Sequence, residues 1–120
     1  MAATTSGLVA IQTACNAYWD SILDIVEPPA GDLGASVDRW ANIIEQRLPM
    51  SSFTAAELDA GVDVWARESV EISQRVLYPP TLAEHAVPGA DYKKTADVVA
   101  ERRIALAGYR LAAVLNKIIK

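Results

Sequence analysis

A chain of 120 residues, 52% apolar and 22% charged, is long enough to bury one core and too apolar to be a disordered tail. No apolar run approaches the roughly 18–20 residues that span a bilayer, and the first fifteen residues hold no Lys or Arg, so neither a membrane span nor a signal peptide is expected and the compartment stays open. A single cysteine (Cys15) and a single histidine (His85) exclude an internal disulfide and a Cys/His zinc site, while the net charge of −4 opposes long-range attraction to nucleic acid.

Prolines and glycines divide the chain into four segments that read at helical period. In the first, expected to be a helix over about 5–26, Leu8, Ile11, Cys15, Tyr18, Trp19, Ile22 and Val26 recur at three- and four-residue steps, and Pro28-Pro29 ends it. The second, about 33–48, carries Leu33, Val37, Trp40, Ala41, Ile44 and Leu48 on one stripe, with Asp32 or Ser36 as its cap and Pro49 as its stop. The third, about 55–77, opens on Thr54-Ala-Ala-Glu57, a capping box, and continues through Leu58, Val62, Trp65, Ser69, Ile72 and Val76 to Pro79-Pro80. Gly61 weakens its first turns, but the unbroken face favours one helix. After a loop with Thr81-x-x-Glu84 and Pro88-Gly89, the fourth, about 92–118, starts near Asp91 and runs Val98, Ile104, Gly108, Leu111, Leu115 and Ile118 close to a heptad seam. No period-two run or hairpin dipeptide occurs. The expected fold class is all-α: one domain over 1–120, four main helices packed antiparallel.

Residues 91–120 carry seven basic and three acidic side chains, leaving −8 on residues 1–90. Such a helix suits phosphates or an acidic face of its own protein, and the acidic total favours the second. Sequence signatures of catalysis are absent: no glycine-rich phosphate loop, no His-Glu-x-x-His, no paired cysteines. His85 reads as a solvated loop residue. Asn16 and Asp20, four apart, place two oxygen-bearing side chains on one helical flank, roughly 100–150° from the centre of the apolar stripe. By themselves they read as an edge-of-core hydrogen-bonding pair, since an amide oxygen is a poor zinc ligand. Trp19, Trp40 and Trp65 lie on or beside the apolar stripes and, with Tyr18, Tyr78, Tyr92 and Tyr109, read as core aromatics before base-stacking platforms.

Taken in order, Asn16-Ala-Tyr-Trp-Asp20-Ser-Ile-Leu, Trp65-Ala-Arg-Glu-Ser69, Val76-Leu-Tyr78 and Ile104-Ala-Leu-Ala-Gly108-Tyr-Arg-Leu-Ala-Ala-Val-Leu-Asn116 resemble the C-terminal part of the single-strand-specific zinc nucleases. These class I nucleases and 3′-nucleotidases share a fold with zinc-dependent phospholipase C. The resemblance covers about residues 13–119 and is most specific at Ile104–Asn116. It implies a helical cleft in which three zinc ions activate water for attack on a phosphodiester and neutralise the phosphate and the leaving 3′-oxygen. Most of the family's ligands precede the part resembled here, and residues 1–12 do not resemble the region that should precede it. Of the ligands that carry over, Asp20 matches a zinc-binding aspartate and Asn16 replaces the zinc-binding histidine. The other motifs carry over as scaffold: Trp65, Leu111 and Leu115 as core, Gly108 for close helix packing, Glu68 and Arg110 as ion-pair or capping partners.

Two functions follow as expectations. In one, the chain is part of a nuclease, inactive alone, acting on single-stranded nucleic acid only when a separate N-terminal half completes the zinc site. In the other, it is a non-enzymatic helical interaction module, a homo-oligomer through apolar surface that such a half would otherwise cover.

Overall fold

In the computed structural model of the protein, Tyr18, Trp19, residues 32–80, Leu82 and residues 88–119 are described. Helices are the regular structure of the described residues, among which there is no strand, and Tyr18 and Trp19 are themselves helical. Asn16, Asp20, Cys15, His85, Thr81 and Glu84 lie outside them.

Helix α1 spans Leu33–Arg47, and Asp32 caps it by accepting the amide of Ala35 at 3.3 Å. A 3₁₀ turn over Met50–Ser52 follows Pro49. Helix α2, Ala55–Asp59, begins at the expected capping box: the Thr54 hydroxyl accepts the Glu57 amide at 3.2 Å, and the Glu57 carboxylate accepts the Thr54 amide at 2.8 Å. Helix α3, Val62–Ile72, continues as a π-helical turn over Ser73–Leu77. Helix α4 runs unbroken over Ala90–Ile118. Its N-cap is Gly89 and no side chain caps it, so Asp91 sits in the first turn and not at the cap.

The periodic face over 55–77 predicts one helix; the structure divides it. Ala60 and Gly61 are extended, at ψ 142° and 169°. Helical glycine already costs about 1 kcal/mol relative to alanine, and side chains satisfy carbonyls released by the break. The Trp65 indole donates to Ala60 O at 2.7 Å, and Arg110 Nε donates to Glu57 O at 2.8 Å. At the far end of α3, Ser69 and Ser73 hydroxyls donate to the carbonyls four residues back, a habit that bends helices.

Contacts fix the packing direction. Trp65 lies by Arg110, Glu68 and Ser69 by Arg103, and Leu77 by Tyr92, so α3 and α4 are antiparallel. Helix α1 reaches α4 through its C-terminal end: Arg47 pairs with Glu101 at 2.8 Å, and the Tyr109 hydroxyl donates to Leu48 O. The core is Ile44, Phe53, Ala105 and Leu106, flanked by Leu48, Leu58 and Tyr109.

The face of α4 that packs is not the expected seam. Ala96, Ala100, Ala105, Leu106 and Arg110 are buried, whereas Leu111 is 57% exposed and Leu115 43%. Val98, Ile104 and Ile118 are exposed as well. Nothing lies within 4 Å of where a Gly108 Cβ would stand, so no neighbour uses that glycine for close approach. Hydropathy singles out the larger side chains, but α4 docks through alanines, Leu106 and one arginine whose charge is met from α3. Among the described residues no helix is long and apolar enough to cross a membrane.

Candidate functional site

Three of the motif residues that read as scaffold from sequence, Trp65, Glu68 and Arg110, converge on one cluster, whereas Leu111, Leu115 and Gly108 do not. Arg110, 3% exposed, faces α3 with its planar guanidinium. Its Nη1 and Nη2 donate to Glu68 Oε2 and Oε1 at 2.8 and 2.9 Å, a two-pronged carboxylate clamp. Its third donor, Nε, holds the Glu57 carbonyl, and the guanidinium carbon stands 5.5 Å from the centre of the Trp65 ring. Arg103, nearly two turns earlier on α4, adds a bond from Nη1 to Glu68 Oε2 at 2.7 Å. Glu68 and Arg110 are thus ion-pair partners, and Arg110 also terminates α2.

These donors hold Glu68 ionised. Bonds from Arg110, with those from Arg103, outweigh partial burial and lower its pKa from 4.5 to about 2. Glu57 is also held below the ordinary carboxylate range, chiefly by the Thr54 amide and then by Arg102, whose Nη2 donates to Oε1 at 2.7 Å. A carboxylate held so firmly charged is a poor general acid or base near neutral pH. The cluster is a joint between helices. Arg103 and the Glu57–Arg102 pair were not singled out in the sequence; the adjacent arginines within a packed helix were the local signal.

A second cluster ties the Tyr18-Trp19 segment to the opposite end of α4. The Trp19 indole donates to the Tyr92 hydroxyl at 3.0 Å, which in turn donates to Leu77 O at 2.9 Å. The Tyr18 hydroxyl stands 2.9 Å from Asp97 Oδ1 and 3.2 Å from Lys93 O. Burial first, then the Asp97 carboxylate, pushes its pKa up to about 12, so it remains a neutral donor. Trp19, Trp40 and Trp65 are each half-buried, consistent with aromatic packing.

Tyr18 and Trp19 stand in sequence between Asn16 and Asp20, which themselves lie outside the described residues. The described residues contain no group of three or more His, Cys, Asp or Glu side chains able to hold a metal ion. The whole sequence supplies one imidazole and one thiol. Zinc sites draw mainly on these two groups with a few carboxylates, so this donor set does not fit a multi-zinc cluster.

Two cavities adjoin the Glu68 clamp. One of about 420 Å³ is lined by Glu57, Glu71, Arg75 and Arg102 among others. The other, about 260 Å³, is mostly apolar, between Val62 and Trp65 of α3 and Ala107, Leu111 and Val114 of α4. In the first, Arg75, Arg102 and Arg103 each have a carboxylate within 4.0 Å. It therefore presents no surplus positive charge for a phosphate.

No curated protein and no solved structure matches the chain. The family model described as S1/P1 Nuclease matches residues 11–120, a span that takes in the Tyr18-Trp19 anchor, the Trp65–Ser69 motif and all of α4. With its helical architecture and the clamp joining two of the matching motifs, this chain belongs to the S1/P1 nuclease family.

Proposed function

We propose that this chain is the helical C-terminal scaffold of a zinc-dependent nuclease acting on single-stranded nucleic acids and 3′-nucleotides, and that it hydrolyses no phosphodiester alone. The observation that carries this reading is the family match over residues 11–120 in a chain with a single histidine and a single cysteine. When bound, zinc supplies activated water and neutralises phosphate charge. This chain's own contribution is mechanical: Glu68, Arg103 and Arg110 lock α3 to α4, and Tyr92 and Asp97 anchor the Tyr18-Trp19 segment. Asp20 is the one residue we assign to the metal side, with Asn16 in place of the histidine. The remaining imidazoles and carboxylates belong to the family's N-terminal, metal-binding half.

The test is hydrolysis of single-stranded DNA and of a 3′-nucleotide with added zinc, by the purified chain alone and mixed with a polypeptide bearing the family's metal-binding half. The expected result is no zinc-dependent turnover by the chain alone and turnover by the mixture. Chelator-sensitive cleavage by the chain alone overturns its inactivity, and an inert mixture overturns the complementing enzyme. Exposure of the apolar face of α4 favours a second reading, a non-enzymatic interaction module derived from the same fold.

A further inference from the structure

Helix α3 and its π-helical continuation stop at Pro79-Pro80, two residues without an N–H, so the next turn cannot meet the last carbonyls of the helix. Within the π-helical turn the Tyr78 amide reaches back five residues to Ser73 O at 3.0 Å. The Leu77 carbonyl is met from α4, by the Tyr92 hydroxyl at 2.9 Å. That same hydroxyl accepts the Trp19 indole N–H at 3.0 Å. An indole N–H only donates and a carbonyl only accepts, so the hydroxyl between them serves both in one direction alone, from Trp19 through Tyr92 to Leu77. With a lone pair engaged by the indole, its proton is left for Leu77 O, and each bond polarises the other. Tyr18 gives the segment a second foothold on α4: its ring meets that of Tyr92 edge to face at 6.1 Å, and its hydroxyl reaches Asp97.

We propose that the Tyr92 hydroxyl is a coupling joint: through it, the seating of the Tyr18-Trp19 segment on α4 holds the π-helical turn, and with that turn one wall of the cavity of about 420 Å³. Three distant parts of the chain meet at this one oxygen. The cavity lies between two ties of the antiparallel α3–α4 pair, the Glu68 clamp at one end and the Leu77–Tyr92 bond at the other. Ile72, Arg75 and Val76 line it from α3 and its continuation, Val99, Arg102 and Leu106 from α4. The two ties differ in strength. Glu68 receives charge-assisted bonds from two arginines, whereas Leu77 receives a neutral hydroxyl bond, so the π-helical end yields first. Arg75 and Val76 belong to the π-helical turn, a rare conformation confined to short pieces, and loosening that turn moves the wall they form. With the segment seated, the relay holds the turn. With the segment lifted, the Tyr92 hydroxyl can turn to water and the wall is released.

The test is amide hydrogen exchange of the full chain, read over Ser73–Tyr78 by mass spectrometry. Tyr92→Phe keeps the ring and removes the hydroxyl, and is expected to speed exchange there about 5-fold, the factor of one net hydrogen bond. Trp19→Phe keeps an aromatic ring and removes the indole donor, and is expected to speed the same amides by at least ~2-fold. The double variant is expected to match Tyr92→Phe alone, because the relay passes through a single hydroxyl. Thr54→Ala, which removes a cap elsewhere in the fold, is expected to leave these amides unchanged. In a Cys15→Ser background, the thiol introduced by Val76→Cys should react faster with a soluble thiol reagent once Trp19→Phe is added.

Exchange over Ser73–Tyr78 at the wild-type rate in Trp19→Phe overturns the proposal, because Tyr92 then holds Leu77 unaided. Additive effects in the double variant overturn it too, as does an acceleration shared equally by α2 and the first turns of α3, which is general loss of stability. Faster amide exchange with unchanged thiol labelling overturns the cavity wall as the part that responds. The coupling requires neither metal nor substrate, so inactivity in the hydrolysis assay leaves it standing.

Discussion

Glu68 shows what a single side chain contributes here. It receives bonds from Arg103 and from both terminal nitrogens of Arg110, and it keeps only 27% of its side-chain exposure. Glu68→Gln leaves the buried Arg110 without its counter-charge, and removing one partner of a buried pair costs about 3 kcal/mol, measurable by urea denaturation. The pH dependence has a definite sign. Because the folded-state pKa is lowered from 4.5 to about 2, the stabilisation is complete above about pH 4.5 and is lost as pH falls toward 2. Partial exposure reduces that contribution to roughly 1–2 kcal/mol. Wild-type stability should decline across this window more steeply than that of Glu68→Gln, and equal slopes would remove Glu68 as the cause. The sequence showed Glu68 and Arg110 as candidate partners because both lie in recognisable motifs. That one guanidinium would meet Glu68, Glu57 O and Trp65 together was not legible, since those contacts span 42, 53 and 45 positions of the chain.

Among the helices, the most local features were the most readable. The Thr54–Glu57 capping box and the Asp32 cap form within four residues of chain, so sequence order alone sets their geometry. Thr54→Ala should cost about 1 kcal/mol in thermal or urea unfolding. The break between α2 and α3 was hidden for the opposite reason: Leu58, Val62 and Trp65 keep helical spacing across it. What stabilises the break is the pair of bonds from Trp65 and Arg110 to the carbonyls at Ala60 and Glu57. Trp65→Phe keeps an aromatic ring but removes the donor to Ala60, and an unmet carbonyl costs about 1–2 kcal/mol. Unfolding should report that loss with helix content preserved by circular dichroism. Full retention of stability would show that the indole bond does not support the break.

For the molecule as a whole, the central cluster among the described residues holds four buried side chains, and α4 buries Leu106 while leaving Ile104, Leu111, Leu115 and Ile118 exposed.

Helical period, caps and proline stops depend on residues close together in the chain, and from them the sequence determined an all-helical protein and the start of its second and third predicted helices. The ordered motifs likewise determined its family. Which face of α4 turns inward was decided only by tertiary structure. Hydropathy ranks Leu111 and Leu115 above Arg110, yet an arginine becomes a core residue once a carboxylate from another helix neutralises it. No local pattern contains that distant partner.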